Sequence, residues 1–131
     1  MKILFLDDQK VRHDFFCKTN HKIQGVQGVC ICRVDDYETH HTYTTKQAID
    51  MLSGNKYDII SLDYDLDCTD PSKDGMVVVN FLVEQMRTGF YTDEDQPSVI
   101  IHSWNRCGAK MMENYLVDSG YRYVQLSPFY V

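Results

Sequence analysis

Asp7 and Asp8 stand side by side at the end of the apolar run Ile3-Leu4-Phe5-Leu6, and Asp63 and Asp65 follow a second run, Ile59-Ile60-Ser61-Leu62. A third run, Val99-Ile100-Ile101, ends on His102, with Ser103, Trp104 and Asn105 after it. Carboxylates brought together raise one another's pKa and destabilise a fold unless something positive sits among them. A hard divalent cation is the usual partner, and Mg²⁺ commonly takes one or two carboxylates while keeping waters for a phosphate. Asp7, Asp8 and Asp63 are therefore the expected metal ligands, for Mg²⁺ or Mn²⁺. Asp65 is a further ligand or an acid beside them, although Asp65, Asp67, Asp70 and Asp74 read equally well as solvated loop residues. An imidazole such as His102 can take or give a proton at neutral pH. Its structural alternative is a core histidine bonded to a backbone carbonyl. Ser103 and Asn105 precede a helical stretch. Either caps it, or they orient an anion together with the free N–H groups of that helix start.

Other residues carry weaker signals. Lys10 and Arg12 either meet a phosphate or begin a solvated helix, and Gly108 either allows close approach or simply packs. Trp104 could stack on a base, with ordinary packing the plainer reading. His40 and His41 are expected as exposed strand residues. Cys30 and Cys32 form C-x-C with no second pair at zinc spacing, so no zinc site is expected.

Positioning these groups takes alternating strands and helices. Lys2 to Leu6 reads as a buried strand, and Val11 to Cys17 as a short helix. Residues 18–38 are the least regular stretch and look inserted, although Val29 to Val34 alternates as a strand could. Thr39 to Thr44 reads as the next strand, and Thr45 as the cap of a helix carrying Ala48, Ile49 and Leu52. Tyr57 to Leu62 is a strand, followed by an acidic loop to Gly75 and a helix from Met76 to Arg87. Ser98 to Ser103 is a strand, and Asn105 to Ser119 a helix with Ala109, Met112, Tyr115 and Leu116 inward. Tyr121 to Leu126 is the last strand, with Ser127 and Pro128 after it. Such alternation predicts a three-layer, doubly wound α/β domain with a parallel sheet and helices on both faces. Open parallel sheets place ligands beyond the carboxyl ends of their strands, which is where the acids and His102 fall.

The 131 residues suit a single domain, 1–131. The net charge of −6 and the lack of a Lys/Arg cluster disfavour binding along duplex nucleic acid. A small nucleotide or an RNA end is compatible, with a metal supplying the missing positive charge. No apolar run is long enough to span a membrane. The apolar start meets Asp7 too early for a secretory signal, and five cysteines make an odd number, so reduced thiols in the cytoplasm are expected.

The start Ile3 to Asp8, with Asp63 closing a later strand, resembles the receiver domains of bacterial response regulators. That resemblance implies a five-stranded parallel sheet in the order 2-1-3-4-5, with Mg²⁺ at the acids and Asp63 as phosphoacceptor. Ser127 stands where receivers carry a Lys, and no sequence remains for a final helix. A narrower resemblance is to receiver-like proteins that process cyclic phosphates. It rests on Phe5-Leu6-Asp7-Asp8, on Ser61-Leu62-Asp63-Tyr64-Asp65-Leu66, and on His102-Ser103-Trp104-Asn105 with Gly108-Ala109 and Met111-Met112. Tyr64 replaces that family's His, and Lys10 stands where it usually has Arg, losing a bidentate phosphate fork. The resemblance implies a metal-dependent phosphoesterase acting on a cyclic phosphate of a nucleotide or RNA end. His102, Asp63 and Asp65 would be catalytic, and Ser103, Asn105, Lys10 and Tyr64 would bind substrate. The competing expectations are a degenerate module that binds a nucleotide or a protein partner, and a phosphoacceptor receiver.

Overall fold

The computed structural model describes residues 1–8, 22–24, 30–34, 37–66 and 74–126. The strands are β1 (Lys2–Leu6), β2 (Lys22–Gln24), β3 (Cys30–Val34), β4 (Tyr37–Thr42), β5 (Ile59–Leu62), β6 (Ser98–Ile101) and β7 (Val124–Leu126). The helices are α1 (Thr45–Gly54), α2 (Gly75–Arg87) and α3 (Arg106–Asp118). All seven strands join one sheet in the order β2-β3-β4-β1-β5-β6-β7. β1 pairs parallel with β4 and β5, β5 with β6, and β6 with β7. Those five parallel strands run 2-1-3-4-5, as the receiver resemblance implied.

β2 and β3 pair antiparallel and extend the sheet beyond β4. Both fall within the stretch 18–38, so the sheet has two strands more than the five expected. The alternation of Val29 to Val34 foreshadows β3. β2 has only three residues, Lys22-Ile23-Gln24, too few to show a period. The expected helix at Val11 to Cys17 and the residues after Leu126 lie outside the described residues.

Leu4, Leu6, Ile60, Leu62, Val99 and Ile101 point to one face of the sheet. There they form a single buried cluster with Ala48 and Leu52 of α1, Val78, Val79 and Leu82 of α2, and Ala109, Met112 and Leu116 of α3. All three described helices therefore pack on that face, joined by their i, i+3/i+4 apolar stripes. Ile3, Phe5, His41 and Ser61 project from the opposite face and are buried as well. Tyr115, expected inward, is 46% exposed; it sits at the margin of the α3 stripe that Met112 and Leu116 centre.

The cap of α1 is Thr44, whose side chain accepts from Gln47 N at 3.1 Å, and Thr45 is already helical. Two adjacent threonines are equivalent as sequence signals, and the backbone decides between them. Among the described residues no helix is long and apolar enough to cross a membrane.

Candidate cation and phosphate site

The strand register builds the site. Leu6 is level with Leu62, and Leu62 with Ile101. The next residues, Asp7, Asp63 and His102, therefore stand in a row across three adjacent strand ends. The ladder continues one step into that row: Asp63 N donates to Leu6 O at 3.1 Å, and His102 N to Leu62 O at 2.9 Å. One ligand atom from each of Asp7, Asp63 and His102 lies within 4.8 Å of the others, and all three residues are buried. Two carboxylate oxygens and an imidazole nitrogen at that spacing could hold a divalent cation.

Asp8 is half-buried and is not part of that group of three. Asp8 follows Asp7 in a bend just past the end of β1. Asp65 is exposed, and its Oδ1 accepts from Asn105 Nδ2 at 3.4 Å. Asn105 Oδ1 caps α3 by accepting from Gly108 N at 2.9 Å, so only its amide nitrogen remains to face a ligand. Ser103 is buried, and its Oγ accepts from Asn105 N at 3.1 Å. Ser103 and Asn105 thus shape the helix start. Trp104 between them is 55% exposed, more open than the packing reading anticipated. Lys10, Arg12, Asp67, Asp70 and Ser127 lie outside the described residues.

Two glycines set the walls. At Gly75, the start of α2, an added Cβ would overlap the Asp63 carbonyl oxygen and stand 3.0 Å from Tyr64 Cα. Gly75 N also donates to Tyr64 O at 2.8 Å. The helix start is thus pressed against the backbone that carries Asp63. At Gly108 a Cβ would lie 2.5 Å from Tyr64 Cγ, so the Tyr64 ring lies directly over the first turn of α3. Burial raises the Tyr64 phenol above its ordinary pKa, and Asp74, which also hydrogen-bonds it, and Asp65 add to the rise. The phenol stays protonated at neutral pH and can donate.

Behind the row lies a support that the apolar runs concealed. His102 Nδ1 is 2.7 Å from Ser61 Oγ, and His102 Nε2 is 3.0 Å from Asp7 Oδ2. The imidazole stacks on Phe5, with centroids 4.7 Å apart and planes inclined by 4°. His41 Nε2 donates to the Asp7 backbone oxygen at 2.9 Å. The expectation that His40 and His41 are exposed is corrected: they are 3% and 0% exposed. β3 covers the outer edge of β4, so β4 is an interior strand. The alternative that His102 is a core histidine bonded to a backbone carbonyl is not what the geometry shows, because both ring nitrogens meet side chains. Ser61, quoted above only as part of a motif, carried a signal of a site role. It is a polar residue in mid-strand, two before Asp63 and hence on the same face.

The model of the cyclic-phosphate processing receiver domain matches residues 2–118. The chain belongs to that family. No curated protein matches the sequence at a significant level. Solved structures of response-regulator receivers share its fold. The receiver domain of the Francisella response regulator 1452 is 21% identical, with a TM-score of 0.55, over 98% of this chain and 85% of that one. The BeF3-activated N-terminal receiver domain of Klebsiella pneumoniae RstA is 17% identical, with a TM-score of 0.58, over 99% and 88%. This member of the cyclic-phosphate processing receivers differs from the motif quoted above in presenting a phenol, Tyr64, over the site instead of an imidazole.

Proposed function

We propose that this chain is a cation-dependent phosphoesterase that opens a cyclic phosphate on a small nucleotide or an RNA end. The observation that carries the proposal is the buried row of Asp7, Asp63 and His102 at the carboxyl edge of the parallel sheet. The donor set fits a divalent cation, Mg²⁺ or Mn²⁺. Asp7 and Asp63 would hold it, with Asp8 beside them. The cation would neutralise phosphoryl charge and lower the pKa of water.

The residues of the chain have separate tasks. Asp65, on the loop after Asp63, takes a proton from the attacking water, whose oxygen forms the new P–O bond. The ring P–O bond breaks, and His102, as imidazolium, gives its Nε2 proton to the leaving ribose oxygen. The product is a phosphomonoester, and the proton held by Asp65 returns to His102 through solvent, so protons balance. The Tyr64 phenol, the Asn105 amide and the Ser103 hydroxyl, with Lys10, orient phosphate oxygens. The acidic surface fits a small ligand better than a duplex, and a cytoplasmic setting suits the reduced thiols.

The test is hydrolysis of 2′,3′-cyclic and 3′,5′-cyclic nucleotides with Mg²⁺, Mn²⁺ or EDTA, followed by phosphate-ester analysis. Activity lost in EDTA and in both Asp63→Asn and His102→Ala supports the assignment. Activity that persists in both variants overturns it. A nucleotide that stays bound and intact through long incubation with metal would instead favour the binding-module reading, to which Tyr64 in place of His lends weight.

A further inference from the structure

The chain Ser61–His102–Asp7 runs from the middle of the sheet to the cation row, and all three side chains are buried at 0%, 1% and 0% exposure. The chemistry of its ends fixes the protons. An ionised Asp7 carboxylate only accepts, so the 3.0 Å contact requires a proton on His102 Nε2. In the neutral ring Nδ1 is then bare, and Ser61 O–H donates to it at 2.7 Å. An alanine or an aliphatic residue would leave Nδ1 unpaired.

We propose that Ser61 is the positioning residue of this site: through His102 it fixes the orientation of Asp7. The inference rests on reading Asp7 and Asp63 as the ligands of a cation. Phe5 holds the plane of the ring by stacking. Stacking alone, however, leaves the ring free to flip about Cβ–Cγ, which exchanges Nδ1 with Cδ2 and Nε2 with Cε1. Ser61 at Nδ1 and Asp7 at Nε2 select the orientation that presents both nitrogens to partners.

The experiment reads the His102 ring directly, by ¹⁵N-edited NMR of the metal-free full chain at a pH where the ring is neutral, alongside Mn²⁺ titration calorimetry. Wild-type protein shows the Nε2–H tautomer. Ser61→Ala shows a tautomer mixture and binds Mn²⁺ about tenfold more weakly, the lower end of the range for losing an outer partner of a metal site. Ser61→Thr, which restores the hydroxyl, returns both readouts toward wild type. A wild-type ring in the Nδ1–H form overturns the proposal, and this needs no variant to fold. So does Ser61→Ala with an unchanged ring spectrum and unchanged Mn²⁺ affinity. Hydrolysis that fails while the Ser61 effects hold removes the phosphoesterase reading and leaves the role of Ser61 standing. A wild type that takes up no Mn²⁺ removes the cation reading, and the ring spectrum then decides Ser61 alone.

Discussion

Gly75→Ala puts a wedge between α2 and the backbone of the cation row. The added methyl would overlap the Asp63 carbonyl oxygen and stand 3.0 Å from Tyr64 Cα and 3.1 Å from Asp63 C. These are backbone atoms, so no rotamer change relieves the overlap. Either the helix start or the Asp63–Tyr64 peptide must move by about an ångström, at a cost of about 1–3 kcal/mol for overpacking. Alanine recovers up to about 1 kcal/mol through its better helix propensity. The net loss is therefore about 0–3 kcal/mol, or a fall in Tm of up to about 11 °C for a domain of this size. Function should suffer more than stability, because a site loses competence when its groups shift by more than about 0.5 Å. A tenfold or greater loss of Mn²⁺ affinity is expected. Gly54→Ala, at the end of α1, is the matched control. Nothing lies within 4 Å of its added Cβ and its φ is not positive, so it should stabilise by about 0.4–1 kcal/mol. Urea unfolding and Mn²⁺ calorimetry on both variants make the comparison. A Gly75→Ala protein that is stabilised like Gly54→Ala, with unaltered cation affinity, would refute the close approach.

Tyr64→His restores the imidazole of the family motif at the position that packs on Gly108. It should raise the rate of cyclic-nucleotide hydrolysis; a rate equal to or below wild type would show that this site does not use a second imidazole. Asn105→Ala removes the α3 cap and should cost about 1 kcal/mol in urea unfolding, and an unchanged midpoint would mean the cap is idle. Asp95 accepts from Lys56 Nζ at 2.5 Å and from Thr92 N at 2.6 Å. The Lys56 ammonium and the Thr92 donors lower its pKa from the ordinary 3.8 to about 2. The sign follows: this carboxylate favours the folded state above its unfolded pKa, and the contribution is lost as pH falls through the folded one. NMR titration should place Asp95 near 2 in wild type and nearer its ordinary value in Lys56→Met; equal midpoints would sever that link.

What the sequence disclosed followed from how local each signal is. Acids and a histidine ending apolar runs are local facts, and the parallel register turns them into one row without further information. Asp8 shows the limit: it neighbours Asp7 in sequence but is not one of the group of three. The histidines of β4 were misjudged because their burial comes from partners distant in sequence, Tyr57 for His40 and Phe5 and the Asp7 backbone for His41. The extra pairing of β2 and β3 is a contact between short segments with little period of their own. Ser61 was passed over because a small polar residue in a strand is unremarkable until the ring of His102, 41 positions away, folds back over it.

A second buried histidine shows what distinguishes support for a site from support for a fold. His40 Nε2 donates to Glu38 Oε1 at 2.8 Å, and His40 Nδ1 accepts from the Tyr57 hydroxyl at 2.7 Å. This triad ties β4 to the start of β5 on the face that carries the helices. Its chemistry resembles that of Ser61–His102–Asp7: an imidazole held between a hydroxyl and a carboxylate. In the His40 triad the carboxylate, Glu38, lies on the same strand as His40, two residues before it. At the other triad the carboxylate end, Asp7, meets a second buried carboxylate, Asp63. Apolar residues of similar volume would often serve stability as well as a buried ionic cluster. The His40 network connects strands; the His102 network ends at two buried carboxylates on the carboxyl edge of the sheet, where the proposed cation would sit.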